Sequence, residues 1–173
     1  MTVSKVILGT ALAAAVVVGG SFAVSQNGGS LVSVAHADTM AQPVKFSSAE
    51  NTIKYRQNLM KAIGGHWGAI ATTLKEGDSL GAIAIHAEAV AGLAKATPAA
   101  FAEGSGPMDG DTKAKAEIWD KKDEFAKVVM AFQAETAKLA KIAASGDKGA
   151  IAAQFGEVGK VGCKGCHSEF KSK

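Results

Sequence analysis

The chain has 173 residues and a formal net charge of +3, from 19 basic and 16 acidic side chains. So small an excess of positive charge argues against a nucleic-acid-binding surface. The abundance of Ala, Lys and Glu and the scarcity of β-branched runs exclude a β-rich fold and predict an all-α protein.

Residues 1–24 carry one basic residue, Lys5, followed by an apolar run from Val6 to Val24 interrupted only by small or hydroxylated residues. Ala35-His36-Ala37 has the small-x-small form of a signal-peptidase site, so residues 1–37 are expected to be a signal peptide and Asp38 the mature N-terminus. The spacing between the run and this site is longer than usual. The run is nearly long enough to span a bilayer, so retention as an anchor is the alternative. Both outcomes place the following domain outside the cytoplasm, in the periplasm. No other stretch has the length and apolarity to cross a membrane. Removing residues 1–37 leaves 136 residues, 38–173, the size of one ordinary domain. Lys5 leaves with them, so 18 basic residues face 16 acidic ones and the charge becomes +2.

Helix 1 is predicted to start at Ser47 or Ser48, with Ser47 and Glu50 at capping-box spacing and Phe46 as a staple. Ile53, Met60, Trp67 and Leu74 recur every seven residues, with Ile63 and Ile70 between them, which makes an a/d seam. Gly64-Gly65 interrupts it. Arg56 falls in the row of Ile63 and Ile70. A guanidinium there needs an anionic partner such as Asp111, an anionic ligand, or a path for its head to solvent.

Gly77-Asp78-Ser79 is expected to end helix 1 and cap helix 2, whose seam is Leu80, Ile83, Ala87, Val90 and Ala94, closed by Thr97-Pro98. Residues 98–113 hold two prolines and three glycines and are predicted to be irregular. A loop of this length in a small domain is more often functional than idle. Helix 3 is predicted to begin between Thr112 and Asp120 and to reach Ala144, with Ile118, Phe125, Phe132 and Leu139 every seven residues and Val129 and Thr136 between. Ser145-Gly146-Asp147 stops it and caps helix 4, predicted from Lys148 to Lys171 through Ile151, Phe155 and Val158. Four amphipathic helices with two short links pack most simply as an antiparallel up-down-up-down bundle, with any cofactor between facing helices.

Helix 4 ends in Cys163-Lys164-Gly165-Cys166-His167, a C-x-x-C-H run that reads as covalent haem attachment. Each thiol adds across one vinyl group, and the histidine presents an imidazole to iron. On an α-helix Cys163, Cys166, His167 and Phe170 share roughly a 100° arc. Gly159 and Gly162 lie on or beside it, where missing side chains would let a flat macrocycle approach the backbone. A thioredoxin-like redox pair would need a preceding strand and a following helix, and neither is predicted. A structural zinc site would need a fourth ligand, His66 or His86. Otherwise these two histidines read as surface or half-buried residues. One haem c therefore claims both cysteines, and its two propionates roughly cancel the charge of +2. A propionate also supplies the anion that Arg56 requires.

These residues together resemble the class II c-type cytochromes, specifically cytochrome c-prime and its low-spin relatives. The resemblance covers nearly all of residues 44–173. It rests on Ile53-Lys54-Tyr55-Arg56-Gln57, on Glu117-Ile118-Trp119, and on Phe155-Gly156-Glu157-Val158-Gly159 leading into the C-x-x-C-H run. It implies a four-helix bundle with His167 as the proximal iron ligand, Arg56 at a haem propionate and Gln57 beside it. The family position over the open face of iron is occupied here by Met60. Two alternatives follow: five-coordinate iron with Met60 as packing, or six-coordinate low-spin iron with the Met60 thioether as ligand.

Two function classes follow in turn. A periplasmic electron carrier would pass single electrons to a redox partner protein, and Lys160, Lys164, Lys171 and Lys173 would guide an acidic one. A gas binder would take nitric oxide or carbon monoxide on five-coordinate ferrous iron. An enzyme is not expected, since no distal acid–base residue is evident near Met60 along helix 1. Ile85 and Ala89 lie off the helix 2 seam, and Tyr55 and Leu59 off the helix 1 seam. Such a patch predicts a homodimer through these two helices, the alternative being a monomer with scattered apolar residues.

Overall fold

The computed structural model of the protein describes residues 44–77 and 79–173. The expected export segment, its cleavage site and Asp78 lie outside the described residues. Helix α1 spans Ala49–Glu76. Ser48 is its N-cap, and its hydroxyl accepts from the Asn51 amide at 3.2 Å, satisfying one of the first-turn donors that have no intrahelical partner. Of the two serines considered, the second is therefore the cap. Phe46 packs on Tyr55, with ring centroids 5.1 Å apart. Helix α2 spans Gly81–Ala96 and has no side-chain cap. A 3₁₀ turn, Pro98–Phe101, follows directly. The connection expected to be irregular is thus ordered at its start, where proline fixes the first φ.

Helix 3 is interrupted. A single turn, α3, covers Glu117–Asp120, Lys121 leaves helical geometry at φ −116° and ψ 55°, and α4 runs Lys122–Ala143. Asp147 caps α5, Lys148–Glu157, by accepting from the Ala150 amide at 3.0 Å. Beyond it the chain is not α-helical. Val158–Lys164 forms a π-helix, and α6, Gly165–Phe170, completes the element. The reading of the haem motif as one α-helical arc is corrected here. Val158, Gly162, Cys166 and Phe170 follow one another at intervals of four. An unbroken α-helix would rotate that row by about 40° per step, whereas i→i+5 bonding underwinds the chain and keeps it aligned.

The helices make a four-helix bundle in which α2 packs on α1 and α4, and α4 also packs on α5 and the π-segment. The expected seams are its core. Ile70, Ile83, Ala87, Leu139, Ala143, Ile151 and Val158 form one buried cluster. Leu59, Ile63, Val90 and Ala100 form a second, and Ile118, Phe125, Val129 and Phe170 a third. Trp67 stacks on Phe155 at 3.8 Å between centroids and 13° between planes. Among the described residues the only strand-like pairing is one bridge, Ala114 with Lys171. There the Lys115 amide donates to the Phe170 carbonyl at 3.1 Å and the Ser172 amide to the Lys113 carbonyl at 2.9 Å. No described helix is long and apolar enough to cross a membrane.

The surface expected to mediate a dimer is smaller than supposed. Leu59 is 7% exposed and belongs to the second core cluster, with Ile63 of α1, Val90 of α2 and Ala100 of the 3₁₀ turn. Ile85, at 69%, is the large apolar side chain left exposed on α2.

Candidate haem site

Both rows of the α1 seam border a void, through Arg56 and Ile63 in one and Met60 and Trp67 in the other. Ile63 and Ile70, in the row of Arg56, are buried, while Met60, Trp67 and Leu74 are half-buried. For Met60 and Trp67 the reason is a cavity of about 700 Å³, which both residues line. This volume lies within the ~300–1,000 Å³ typical of cofactor and ligand sites. Phe125, Val128 and Phe132 from α4 face it, as do Ile118 from α3 and Phe170 from α6. Cys163, Cys166 and His167 lie along the same cavity. The π-segment carries the first cysteine and α6 the second and the histidine, so the underwinding described above turns all three toward α4.

Both cysteines are free and half-buried. Burial pushes the Cys163 thiol up, and burial followed by the neighbouring Cys163 pushes Cys166 up to about 11. Neutral thiols at neutral pH do not suit a redox pair, whose nucleophile is a stabilised thiolate. The zinc alternative also fails, because among the described residues no three His, Cys, Asp or Glu side chains converge on one point. Haem needs no such convergence: the thiols meet the macrocycle edge and the imidazole its centre. His167 is exposed by surface area but has protein on one side. That desolvation, and then Lys171, lowers its pKa, which favours the neutral imidazole that binds iron.

Arg56 is 4% exposed. Its guanidinium donates to the Ala100 carbonyl at 3.1 Å, the Ser105 hydroxyl at 3.0 Å, the Ser105 carbonyl at 2.7 Å and the Thr112 hydroxyl at 2.9 Å. It also lies 5.1 Å from the centroid of Phe101 and 5.9 Å from that of Trp119. Neither alternative raised for it survives. It does not reach solvent, and the Asp111 carboxylate is not its partner; the Asp111 carbonyl instead accepts from the Gln57 amide at 3.0 Å. All four acceptors are neutral, so the buried positive charge is solvated by hydrogen bonds without being neutralised. Burial lowers its pKa. Arg56 and Gln57 both also line the cavity, where an acidic group of an occupant would supply the counter-charge.

A second polar group points the same way. The Thr97 hydroxyl is buried without any partner, and Thr97 lines the cavity. A buried hydroxyl without a hydrogen bond is uncommon and calls for an explanation. An occupant with an acceptor at that wall provides one. Thr97 was legible only as a helix terminator, since nothing in Thr-Pro signals a lost partner.

The glycines also admit protein neighbours. A Cβ on Gly162 would lie 2.6 Å from Phe132 Cδ2, and one on Gly159 would lie 3.5 Å from Trp67 Cζ2. The first bare position admits an aromatic ring of α4, and Gly162 also lines the cavity. Residues 98–113 do serve the site: Phe101, Asp111 and Thr112 line the cavity, and Arg56 binds their loop to α1. Trp119 holds it from the other side, donating from Nε1 to the Phe101 carbonyl at 3.1 Å.

A mostly apolar cavity inside a four-helix bundle, edged by two thiols, an imidazole and a buried cation, defines a haem protein of electron transfer or gas binding. The family model for cytochrome c′ matches residues 51–171. The chain belongs to the cytochrome c′ family. It is 40% identical to the cytochrome c′ of Pararhodospirillum photometricum over 93 residues, 53% of this chain and 73% of that one. Among solved structures it resembles a ferrous variant of cytochrome c prime from Alcaligenes xylosoxidans with bound NO. The TM-score is 0.67 at 30% identity, with 75% of this chain and 99% of that chain covered. It also resembles a cytochrome c′ with an unusual ligand-controlled dimer dissociation. There the TM-score is 0.69 at 26% identity, with 75% of this chain and 100% of that chain covered.

Proposed function

We propose that this protein is an exported, periplasmic cytochrome carrying one haem c. Cys163 and Cys166 form the two thioethers, His167 is the axial ligand, and Arg56 and Gln57 meet a propionate. Its role is to transfer single electrons and to take nitric oxide or carbon monoxide at five-coordinate iron, and not to act as an enzyme. The observation that carries this reading is the convergence of both thiols, the imidazole and the Arg56 guanidinium on one apolar cavity. Bound haem supplies a one-electron couple and an open coordination position. The chain's own residues do the rest. Val129, Phe125 and Phe132 keep water from the cavity, and Arg56 holds an anion at its edge. The bound NO of the Alcaligenes relative supports the gas-binding half of the proposal.

Met60 motivates the second reading, because it lines the same cavity from α1. With its thioether as sixth ligand the protein would be a low-spin electron carrier. Absorption spectra of the ferric and ferrous protein, with and without NO, separate the two. High-spin spectra and rapid NO binding are expected. A low-spin ferrous spectrum that reverts to high-spin in Met60→Leu would establish the second reading instead. Covalent attachment is tested by acid-acetone extraction: haem is expected to stay with the protein, and in Cys163→Ser/Cys166→Ser to be released.

The relative with ligand-controlled dimer dissociation supports a homodimer here as well. Exposed Ile85, with Ala89 and Tyr55 beside the α1–α2 contact, would form its face, without the Leu59 contribution expected earlier.

A further inference from the structure

Two histidines take no part in the cavity. His66 on α1 and His86 on α2 are half-buried, with ring centroids 5.1 Å apart and planes inclined by 52°. Their Nδ1 atoms are 2.8 Å apart. One of these nitrogens carries hydrogen and the other a lone pair, so two neutral rings must adopt different tautomers. We propose that this pair is a chelating site for a divalent ion of the copper(II) or nickel(II) type, bound by both Nδ1 atoms in adjacent positions.

The separation selects the class of ion. Two nitrogens about 2.0 Å from a shared ion and at a right angle lie about 2.8 Å apart, whereas a tetrahedral angle spreads them to about 3.3 Å. The observed 2.8 Å, spanned here by a hydrogen bond, matches the right-angle separation, so rotation of the two rings suffices to aim both lone pairs at a shared ion. Right angles belong to the tetragonal coordination of copper(II) and nickel(II), and the tetrahedral angle to zinc. Both rings are donated by long helices packed against each other, so the pair is assembled before an ion arrives. Among the described residues no third ligand-bearing side chain joins them, which leaves the remaining positions to water.

The proton balance is simple. In the neutral pair the bridging hydrogen on one Nδ1 moves to Nε2 of the same ring through solvent, both Nδ1 lone pairs turn to the ion, and no net proton is released. A pair that holds one extra proton releases it on binding. No electron moves.

The test uses the full-length, haem-loaded ferric protein, freed of chelators and titrated with copper(II) chloride. Calorimetry is expected to show one saturable site, and electron paramagnetic resonance a tetragonal copper signal with two nitrogen couplings. His66→Gln and His86→Gln preserve polarity and bulk. Each is expected to weaken this binding at least about tenfold, with the haem spectrum and helical dichroism unchanged. Zinc(II) is expected to bind more weakly than copper(II). Affinity unaltered in both variants, or no saturable site at all, would overturn the proposal. Zinc binding as tight as copper would overturn the right-angle assignment.

Discussion

Arg56→Met removes the guanidinium and keeps most of the stem that packs in the seam. Four hydrogen bonds from a charged donor are lost. At ~1.5–3 kcal/mol each they would sum to roughly 6–12 kcal/mol. That total is too large, for two reasons. The four bonds share two nitrogens, and removing the ion also recovers its desolvation cost. Truncation leaves two buried carbonyls without this donor, at ~1–3 kcal/mol each, while the Ser105 and Thr112 hydroxyls can turn elsewhere, so the expected loss is ~3–5 kcal/mol. It is a large share of a total stability of ~5–15 kcal/mol. Urea unfolding of the ferric, haem-loaded protein, followed by helical dichroism and tryptophan fluorescence, should show a midpoint about 2 M lower with an unchanged slope. Arg56→Lys keeps the charge but lacks the planar fork, so it should recover less than half of the loss. A decrease below about 1 kcal/mol in the methionine variant would refute the assignment of Arg56 as the latch of the 98–113 loop.

The same position governs the iron electrostatically. Arg56→Leu should lower the midpoint potential at neutral pH, where loss of a positive charge favours ferric iron. In acid, once the unpaired propionate takes up a proton, the local charge equals that of the native ion pair and the difference from the native potential should shrink toward zero; a potential unchanged from acid to alkaline pH would exclude the pairing. Thr97→Val should stabilise the haem-free Cys163→Ser/Cys166→Ser protein by about 1 kcal/mol, because an orphaned hydroxyl is removed, and destabilise the haem-loaded protein by a similar amount. Unfolding shifts of the same sign in both backgrounds would mean that the occupant does not bind Thr97. Gly162→Ala presses a methyl group into Phe132 and should cost ~1–3 kcal/mol, measurable by calorimetry. Ile85→Lys should leave stability within about 0.5 kcal/mol and yield monomers in sedimentation equilibrium. Leu59→Lys, by contrast, should unfold the protein, and a folded monomeric Leu59→Lys would contradict its place in the core.

The bundle was legible because its signal is repetitive. Every buried apolar residue of α2 had been placed by period alone, as had the cavity-facing Met60 and Trp67. The C-x-x-C-H string was legible because few chemistries share it. What periodicity could not convey was which seam residues face protein and which face a void. Leu59 looked peripheral by register, yet the second core cluster reaches it. The carbonyls that solvate Arg56 come from the backbone of Ala100 and Ser105, and backbone acceptors leave no trace in residue types. The His66–His86 contact joins residues twenty apart on two helices, and its register depends on the turn between them. The π-helix did leave a trace, the four-residue rhythm of Val158, Gly162, Cys166 and Phe170, but a period of 3.6 had been assumed.

That rhythm has a consequence for insertions and deletions. A π-turn is an α-helix that has accommodated about one additional residue, so Val158–Lys164 is where one residue of chain length is absorbed without a full ~100° step of rotation. Removing a single residue upstream of Cys163 would let the segment close as ordinary α-helix, with every hydrogen bond shorter by one residue in its loop. The string Cys-Lys-Gly-Cys-His would survive letter for letter and its face would turn only modestly, whereas a deletion within α5 that left the π-turn in place would swing that face by about 100°. Most surface loops tolerate such a change in length, since an added or lost residue alters their closure entropy only slightly. Here the number of residues in α5 is as much a part of the cofactor site as the thiols themselves, and the π-turn is the one place in the element where a residue can be lost at small cost in rotation.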